Sequence, residues 1–104
     1  MGAQAFRMQL KPGMAAEYRR RHDQIWPELS DLLRDAGISD YWIFFDADTN
    51  ALFATLKLSA DHRPDTLASH PVMRRWWDYM ADIMEVEADN KPREWVLEPV
   101  FHLA

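Results

Sequence analysis

Cysteine is absent from this chain of 104 residues, and glycine is scarce. Without a thiol there is no disulfide, no thiolate metal ligand and no cysteine nucleophile. The three glycines form no glycine-rich phosphate-binding loop. No run of 18 apolar residues occurs, and the first residues lack the charged start and apolar run of a secretory signal. We therefore expect a cytoplasmic protein that does not enter a membrane.

Basic residues are also in the minority. Twelve lysines and arginines face seventeen acidic residues, giving a formal net charge of −5, and the one basic run is Arg19-Arg20-Arg21. Nucleic-acid binding depends heavily on neutralising phosphates, so we expect no nucleic-acid partner. A hydrophobic content of 48% is enough for a packed core. Length and composition predict a single domain over residues 1–104.

The first half of the chain alternates between strand and helix patterns. Residues 5–10 have period two and predict a strand with Phe6, Met8 and Leu10 on one face. Residues 14–36 carry apolar side chains at helical spacing, and Gly37 is a natural stop. Pro27 lies inside this segment, so a kink or a break is expected at residues 23–26.

The second half completes a βαββαβ order. Two strands are predicted at 38–46 and 51–58, joined by a polar hairpin connector. A short helix interrupted by Pro64 is expected at 59–69, a helix with an apolar stripe begins at Pro71, and a last strand covers 94–103. This order predicts an α+β, ferredoxin-like fold with helices on one face of an antiparallel sheet.

The other face of such a sheet needs a cover. The strand at 38–46 is apolar on both faces, and a single chain has no element left to pack on the second one. Large exposed apolar patches usually mark interfaces. We therefore expect a homodimer, formed by two facing sheets or by exchange of edge strands, with a ligand cavity between each sheet and its helices.

Tyr18 and His22 are the first candidates for chemistry. Their i,i+4 spacing places both side chains on one face of a helix, within reach of one ligand. Histidine has an unperturbed pKa close to neutral and exchanges protons readily at working pH. A purely structural histidine near the Pro27 break is the alternative.

A second group of candidates is aromatic. Trp76 and Trp77 are adjacent and point about 100° apart on a helix, so we expect one of them to be mainly core. An aromatic face packs against the C–H face of a sugar while its polar edge meets a hydroxyl. Tyr41 could present its phenol to the same space. An ordinary apolar helix stripe and a half-buried strand tyrosine are the alternatives. The other histidines have no metal-ligand spacing, so no metal site is predicted.

Taken together, these blocks resemble the L-rhamnose mutarotase family over nearly the whole chain. The matching segments are Ala5-Phe6-x-Met8-Gln9, Glu17-Tyr18-x-Arg20-Arg21-His22-x-x-Ile25-Trp26-Pro27-Glu28-Leu29, Thr49-Asn50-x-Leu52-Phe53-Ala54 and Arg75-Trp76-Trp77-x-Tyr79-Met80-x-Asp82-x-Met84. The resemblance implies a dimeric α+β barrel that interconverts the α and β anomers of L-rhamnose without metal or organic cofactor. It also implies His22 as proton donor, with Tyr18, Tyr41, Trp76 and Trp77 contacting the sugar. Trp42 and Phe45 depart from the family pattern.

The chemistry of such a reaction suits these residues. Opening a pyranose requires one proton on the ring oxygen and the loss of another from the anomeric hydroxyl, and the imidazolium of His22 is our proposed donor. A partner base is required as well, the sequence does not identify it, and Asp46 and Asp78 are the candidates. Two other classes stay open: a cofactor-free monooxygenase acting on an aromatic substrate, and a binding barrel without catalysis.

Overall fold

The computed structural model describes residues 2–104, apart from the side chains of Pro64 and Asp65. The strands are β1 (Gly2–Gln9), β2 (Ile38–Asp46), β3 (Ala51–Leu58) and β4 (Trp95–Leu97). The helices are α1 (Ala15–Asp23), α2 (Pro27–Asp35) and α3 (Pro71–Met80), with a 3₁₀ helix at Pro64–Ser69. The strands form one sheet in the order β2-β3-β1-β4, with every neighbouring pair antiparallel. The predicted ferredoxin-like α+β fold is confirmed.

The predicted kink at Pro27 is a complete break between two helices. α1 ends at Asp23, and Pro27 is the first residue of α2. Proline suits this position because the first helical N–H has no partner within the helix. Trp26 has φ −62° and ψ 128°, the extended conformation that a following proline favours. Because α1 ends directly after His22, the histidine lies at a helix terminus.

Two predicted elements need correction. The 3₁₀ helix begins at Pro64 and is not interrupted by it, since proline again fills a first helical position. The last strand pairs only over Trp95–Leu97, so its predicted extension to residue 103 is wrong. Pro99 lacks the N–H that a ladder needs. Residues 98–104 are exposed and carry Val100, Phe101 and Leu103 into solvent.

The sheet has a buried inner face and an exposed outer face. The helices pack on the inner face, and the core lies between them. Its largest fully buried side chains are Leu10, Leu29, Leu52 and Met80. On the outer face the rings of Trp42 and Phe44 stack with centroids 5.8 Å apart, and they are 60% and 54% exposed. The Arg7 guanidinium lies 4.2 Å from the centre of the Trp95 ring. The two faces thus differ sharply in solvent access.

Arg21 joins α1 to the C-terminal end of α3. Its guanidinium is buried and donates to the Glu17 carboxylate at 2.6 Å, the Tyr79 carbonyl at 2.8 Å and the Asp82 carboxylate at 2.8 Å. The same cation lies 4.5 Å from the centre of the Tyr79 ring. A planar guanidinium can satisfy several acceptors at once, which a lysine cannot do in this geometry. Arg21 therefore fixes the two helices that carry the candidate residues.

None of the helices described here is both long and apolar enough to span a membrane.

Candidate functional site

A cavity of about 1070 Å³ lies between the inner face of the sheet and the helices. All five residues proposed from the sequence line it: Tyr18 and His22 from α1, Tyr41 from β2, and Trp76 and Trp77 from α3. Apolar side chains of β1 and β3 form the floor. The expected position of the ligand cavity is thus observed.

Tyr18 and His22 are stacked on each other. Their ring centroids are 4.2 Å apart with an interplanar angle of 29°. The Nδ1 atom of His22 is 3.0 Å from the carbonyl oxygen of Tyr18. A carbonyl only accepts, so Nδ1 must carry the hydrogen that is donated. The neutral imidazole therefore keeps its lone pair on Nε2, and this nitrogen is free to exchange a proton with a ligand.

The protonation of His22 depends on its burial. Burial lowers the pKa of His22 below its ordinary value, and the hydrogen bond to the Tyr18 carbonyl and the charge of Asp23 oppose this only in part. The neutral form is therefore favoured near pH 7. In this form Nε2 presents a proton acceptor to the cavity.

An aromatic cluster holds the imidazole from the side of α3. The His22 and Trp76 rings meet edge to face at 5.4 Å and 89°. Trp26 meets Trp76 in the same way at 5.1 Å and stacks on Tyr79 at 5.7 Å. Edge-to-face packing of this kind contributes beyond the buried area alone. Trp26 was missed as a supporting residue, although it belongs to the segment that begins α2.

Both tryptophans of the adjacent pair line the cavity, and both also belong to the hydrophobic core. Trp76 and Trp77 are 6% and 9% exposed and lie in the same buried cluster. The expectation that one of them is mainly core stays a prediction. The Arg74 guanidinium lies 5.6 Å from the Trp77 ring and covers its outer side.

The two cavity phenols remain protonated. Burial raises the pKa of Tyr18 well above its usual value, and the nearby Tyr41 adds to the effect. Burial also raises the pKa of Tyr41, with a smaller contribution from the charge of Glu94. Tyr41 is 38% exposed as a whole, but it meets Phe6 edge to face at 6.4 Å on the cavity side. Both phenols are therefore hydrogen-bond donors over the neutral range.

The carboxylates named from the sequence lie elsewhere. Asp46 accepts from the Asp48 amide and the Thr49 hydroxyl in the turn between β2 and β3, and Asp78 accepts from the Asn90 side chain. Neither borders the cavity. Two other carboxylates do.

These cavity carboxylates are Asp23 and Glu94. Burial raises the pKa of Glu94, and the charge of Lys91 opposes the rise. No motif marks Glu94, the first residue of the predicted last strand. Alternation from Phe6, which pairs with Val96, places Glu94 on the inner face beside Met8.

The two departures from the family pattern have different positions. Phe45 borders the cavity and pairs with Leu52 on the inner face. Trp42 points to the outer face and does not line the cavity. Of the arginine run, Arg19 reaches the cavity wall, while Arg21 is engaged by its helix contacts. Of the two departures, only Phe45 can therefore alter the shape of the cavity.

In the part of the chain that the structure describes, no group of three or more histidine, aspartate or glutamate side chains is placed to hold a metal ion.

Comparison with known proteins gives a consistent result. A family model described as L-rhamnose mutarotase matches residues 3–103. A protein named L-rhamnose mutarotase from Burkholderia cenocepacia (strain HI2424) is 66% identical over 99 residues, covering 95% of each chain. One of the same name from Jannaschia sp. (strain CCS1) is 60% identical over 99 residues, again covering 95% of both. The crystal structure of an L-rhamnose mutarotase from Formosa agariphila matches with a TM-score of 0.93 and 47% identity, over 100% of both chains.

Proposed function

We propose that this chain, which belongs to the L-rhamnose mutarotase family, interconverts the α and β anomers of L-rhamnose. The family predicted from the sequence blocks is confirmed, and the activity is that of a carbohydrate isomerase. The observation that supports the reaction best is the position of His22 Nε2, which makes no hydrogen bond to the residues that the structure describes. The imidazole is held at the cavity wall by Tyr18 and Trp76.

In our proposal a single imidazole serves both oxygens of the anomeric carbon. Neutral His22 accepts the proton of the anomeric hydroxyl at Nε2, and the bond from the anomeric carbon to the ring oxygen breaks as the carbonyl forms. The imidazolium then donates that proton to the ring oxygen. Both oxygens are bonded to the same carbon, so one nitrogen can reach each in turn. His22 is thus the proton donor that the resemblance implies. In this proposal it also replaces the separate partner base that was expected from the sequence.

Ring closure repeats these steps in reverse. The open aldehyde rotates about the bond between its first two carbons and presents the other carbonyl face. His22 takes the proton from the hydroxyl that becomes the ring oxygen, and it returns the proton to the carbonyl oxygen as the new anomer forms. The protein ends each cycle in its starting protonation state, and so no net proton is taken up.

The remaining cavity residues orient the sugar in this proposal. The phenols of Tyr18 and Tyr41 donate to its oxygens, because their raised pKa values keep them protonated. The indoles of Trp76 and Trp77 pack against its C–H groups and methyl group. Such positioning lets the reaction proceed from a bound geometry close to the reacting one.

Anomer exchange of L-rhamnose, followed by saturation-transfer NMR, tests the function. The wild-type chain should accelerate exchange, and His22→Gln should lose about 10²–10⁴-fold of that acceleration. Asp78→Asn is the matched control, since Asp78 is polar, exposed and away from the cavity, and it should exchange sugar at the wild-type rate. Sugar affinity without exchange would favour a binding barrel. Oxygen consumption with an added quinol would favour a monooxygenase.

We further propose that the chain acts as a cytoplasmic homodimer of single-domain protomers, without a nucleic-acid partner. The exposed stack of Trp42 and Phe44 and the exposed apolar side chains of residues 98–104 support an interface with a second copy. Sedimentation should give a dimer mass for the wild type. The double variant Trp42→Ser/Phe44→Ser should have the mass of a monomer. Arg34→Ala, at an exposed position of α2, should keep the dimer mass. A wild-type monomer at micromolar concentration would contradict the dimer.

A further inference from the structure

Strand β2 contains one residue more than its partner between two paired positions. Ile38 pairs with Leu58 and Ser39 with Lys57, but the next pair is Trp42 with Thr55. β2 therefore advances three residues while β3 advances two. One extra residue in one strand of an antiparallel pair is a β-bulge.

The bulge decides which side chains of β2 face the cavity. Successive side chains of a strand point to opposite faces. If alternation continued without interruption from Ile38, which shares the inner face with Leu58, then Trp42 would point inward and Tyr41 outward. The extra residue inverts this phase. Tyr41 accordingly packs against Phe6 on the cavity side.

The residues after the bulge keep the inverted phase. Ile43 and Phe45 pair with the buried Ala54 and Leu52 and line the cavity. Trp42 and Phe44 stack on the outer face, although Phe44 also borders the cavity at the open edge of β2. A single inserted residue thus assigns four large side chains to their faces.

Asp40 has the backbone conformation that makes the bulge. Its φ of 45° lies in the left-handed region, which asparagine and aspartate tolerate better than other side chains and β-branched residues rarely adopt. Its carboxylate meets the Lys57 ammonium at 3.0 Å, but the two side chains are 63% and 66% exposed. Exposed ion pairs contribute little. The backbone conformation of Asp40 therefore matters more than its charge.

We propose that Asp40 is a positioning residue, whose left-handed conformation creates the bulge that turns Tyr41 into the cavity to contact the sugar. The contact with sugar rests on the proposed function, whereas the direction of Tyr41 does not. The two parts can be tested separately.

The direction of Tyr41 is tested by fluorine NMR of protein labelled with 3-fluorotyrosine. The chain has three tyrosines, so three signals are expected, and Tyr41→Phe assigns the one from Tyr41. Asp40→Gly and Asp40→Asn permit the left-handed conformation and should leave that signal in place. Asp40→Val does not permit it, and the signal should move to the shift of a solvent-exposed fluorotyrosine. Lys57→Met, which removes only the ion pair, should have no effect.

An unmoved Tyr41 signal in folded Asp40→Val protein would overturn the proposal. If Asp40→Val does not fold, Asp40→Ala replaces it, because alanine in this conformation is strained without β-branching. An unmoved signal in Asp40→Ala would then overturn the proposal in the same way.

The link to the sugar is tested by kinetics of anomer exchange. Asp40→Val should raise KM by the same factor as Tyr41→Phe, about two- to tenfold for the loss of one hydrogen bond, with kcat changed less. The double variant Asp40→Val/Tyr41→Phe should be no worse than either single variant. Additive losses would show that Asp40 acts by another route. If wild-type protein exchanges no L-rhamnose while the fluorine signals behave as expected, the proposed function fails and the positioning role stands.

Discussion

On the inner face of the sheet Tyr41 packs edge to face against Phe6 beside the cavity, whereas on the outer face Trp42 and Phe44 stack in solvent. The same strand supplies both sets of rings, so the difference does not come from composition. It comes from the alternation of β2 side chains between the two faces of the sheet, and from the fact that the helices cover only one of these faces. The comparison teaches that the phase of β2 decides which of its rings face the helices and which face solvent.

The largest difference between the two sides of the sheet is expected when one indole is removed from each side. Trp76→Ala removes a buried ring that packs against His22 and Trp26, and it should cost about 3–5 kcal/mol of unfolding free energy. Trp42→Ala removes an exposed ring and should cost about 0.5 kcal/mol or less within a protomer. Urea unfolding measures both values.

Protein concentration separates the two losses further. The loss in Trp76→Ala should be the same at low and high protein concentration, since the ring lies inside one protomer. Any larger loss in Trp42→Ala should depend on concentration, as expected for a dimer contact. Equal, concentration-independent losses would show that the two faces do not differ in the way described. If the Trp76→Ala protein still folds but binds sugar more weakly, the contribution of the indole to sugar binding can be separated from its contribution to packing.

A smaller effect on the exchange rate is expected from pH, through the protonation of His22 at the cavity. Burial lowers the pKa of His22 below its ordinary value, and the proposed cycle begins with neutral imidazole. Exchange should therefore fall about tenfold per pH unit below that lowered pKa and stay level through neutral pH. Among its neighbours Tyr18 stays protonated, and Asp23 only moderates the shift.

Anomer exchange rates corrected for the uncatalysed reaction, measured from mildly acidic to mildly basic pH, test this profile. A rate that rises as the pH falls would show that the resting enzyme must carry an imidazolium.

The smallest effect should come from Glu94, a cavity carboxylate whose charge contributes to the raised pKa of Tyr41. If one imidazole serves both oxygens, Glu94→Gln should change the exchange rate by no more than roughly twofold, far below the range typical of a proton-transfer group. Asp78→Asn, which lies away from the cavity, serves as the control in the same NMR assay. A loss of a hundredfold or more in Glu94→Gln would identify a partner base and replace the one-imidazole cycle.

Most of the fold could be predicted because turn residues and periodicity bound its elements. β2 and β3 were predicted with their observed limits, and Pro27 correctly marked the division between α1 and α2. The bulge at Asp40 could not be predicted, because β2 is apolar on both faces and gives no phase. The last strand was predicted too long, since apolar residues without a pairing partner still resemble a strand.

The site was predictable to a similar extent. The spacing of Tyr18 and His22 fixed their common face, and the structure places Tyr41, Trp76 and Trp77 on the same cavity. Glu94 and Trp26 were missed because each gains its place only through contacts distant in sequence. Helical geometry gives the angle between Trp76 and Trp77, but it does not give the share of each ring that borders the cavity.

Arg21 has a consequence for motion. Because Arg21 belongs to α1 and its guanidinium is bonded to the end of α3, we expect the two helices to move as one unit, with His22 and Trp76 keeping their relative positions. We therefore expect displacements that widen the cavity to occur on the sheet side, at the edge strand β2. Under the proposed function, a sugar would then meet a preorganised wall opposite a more compliant one.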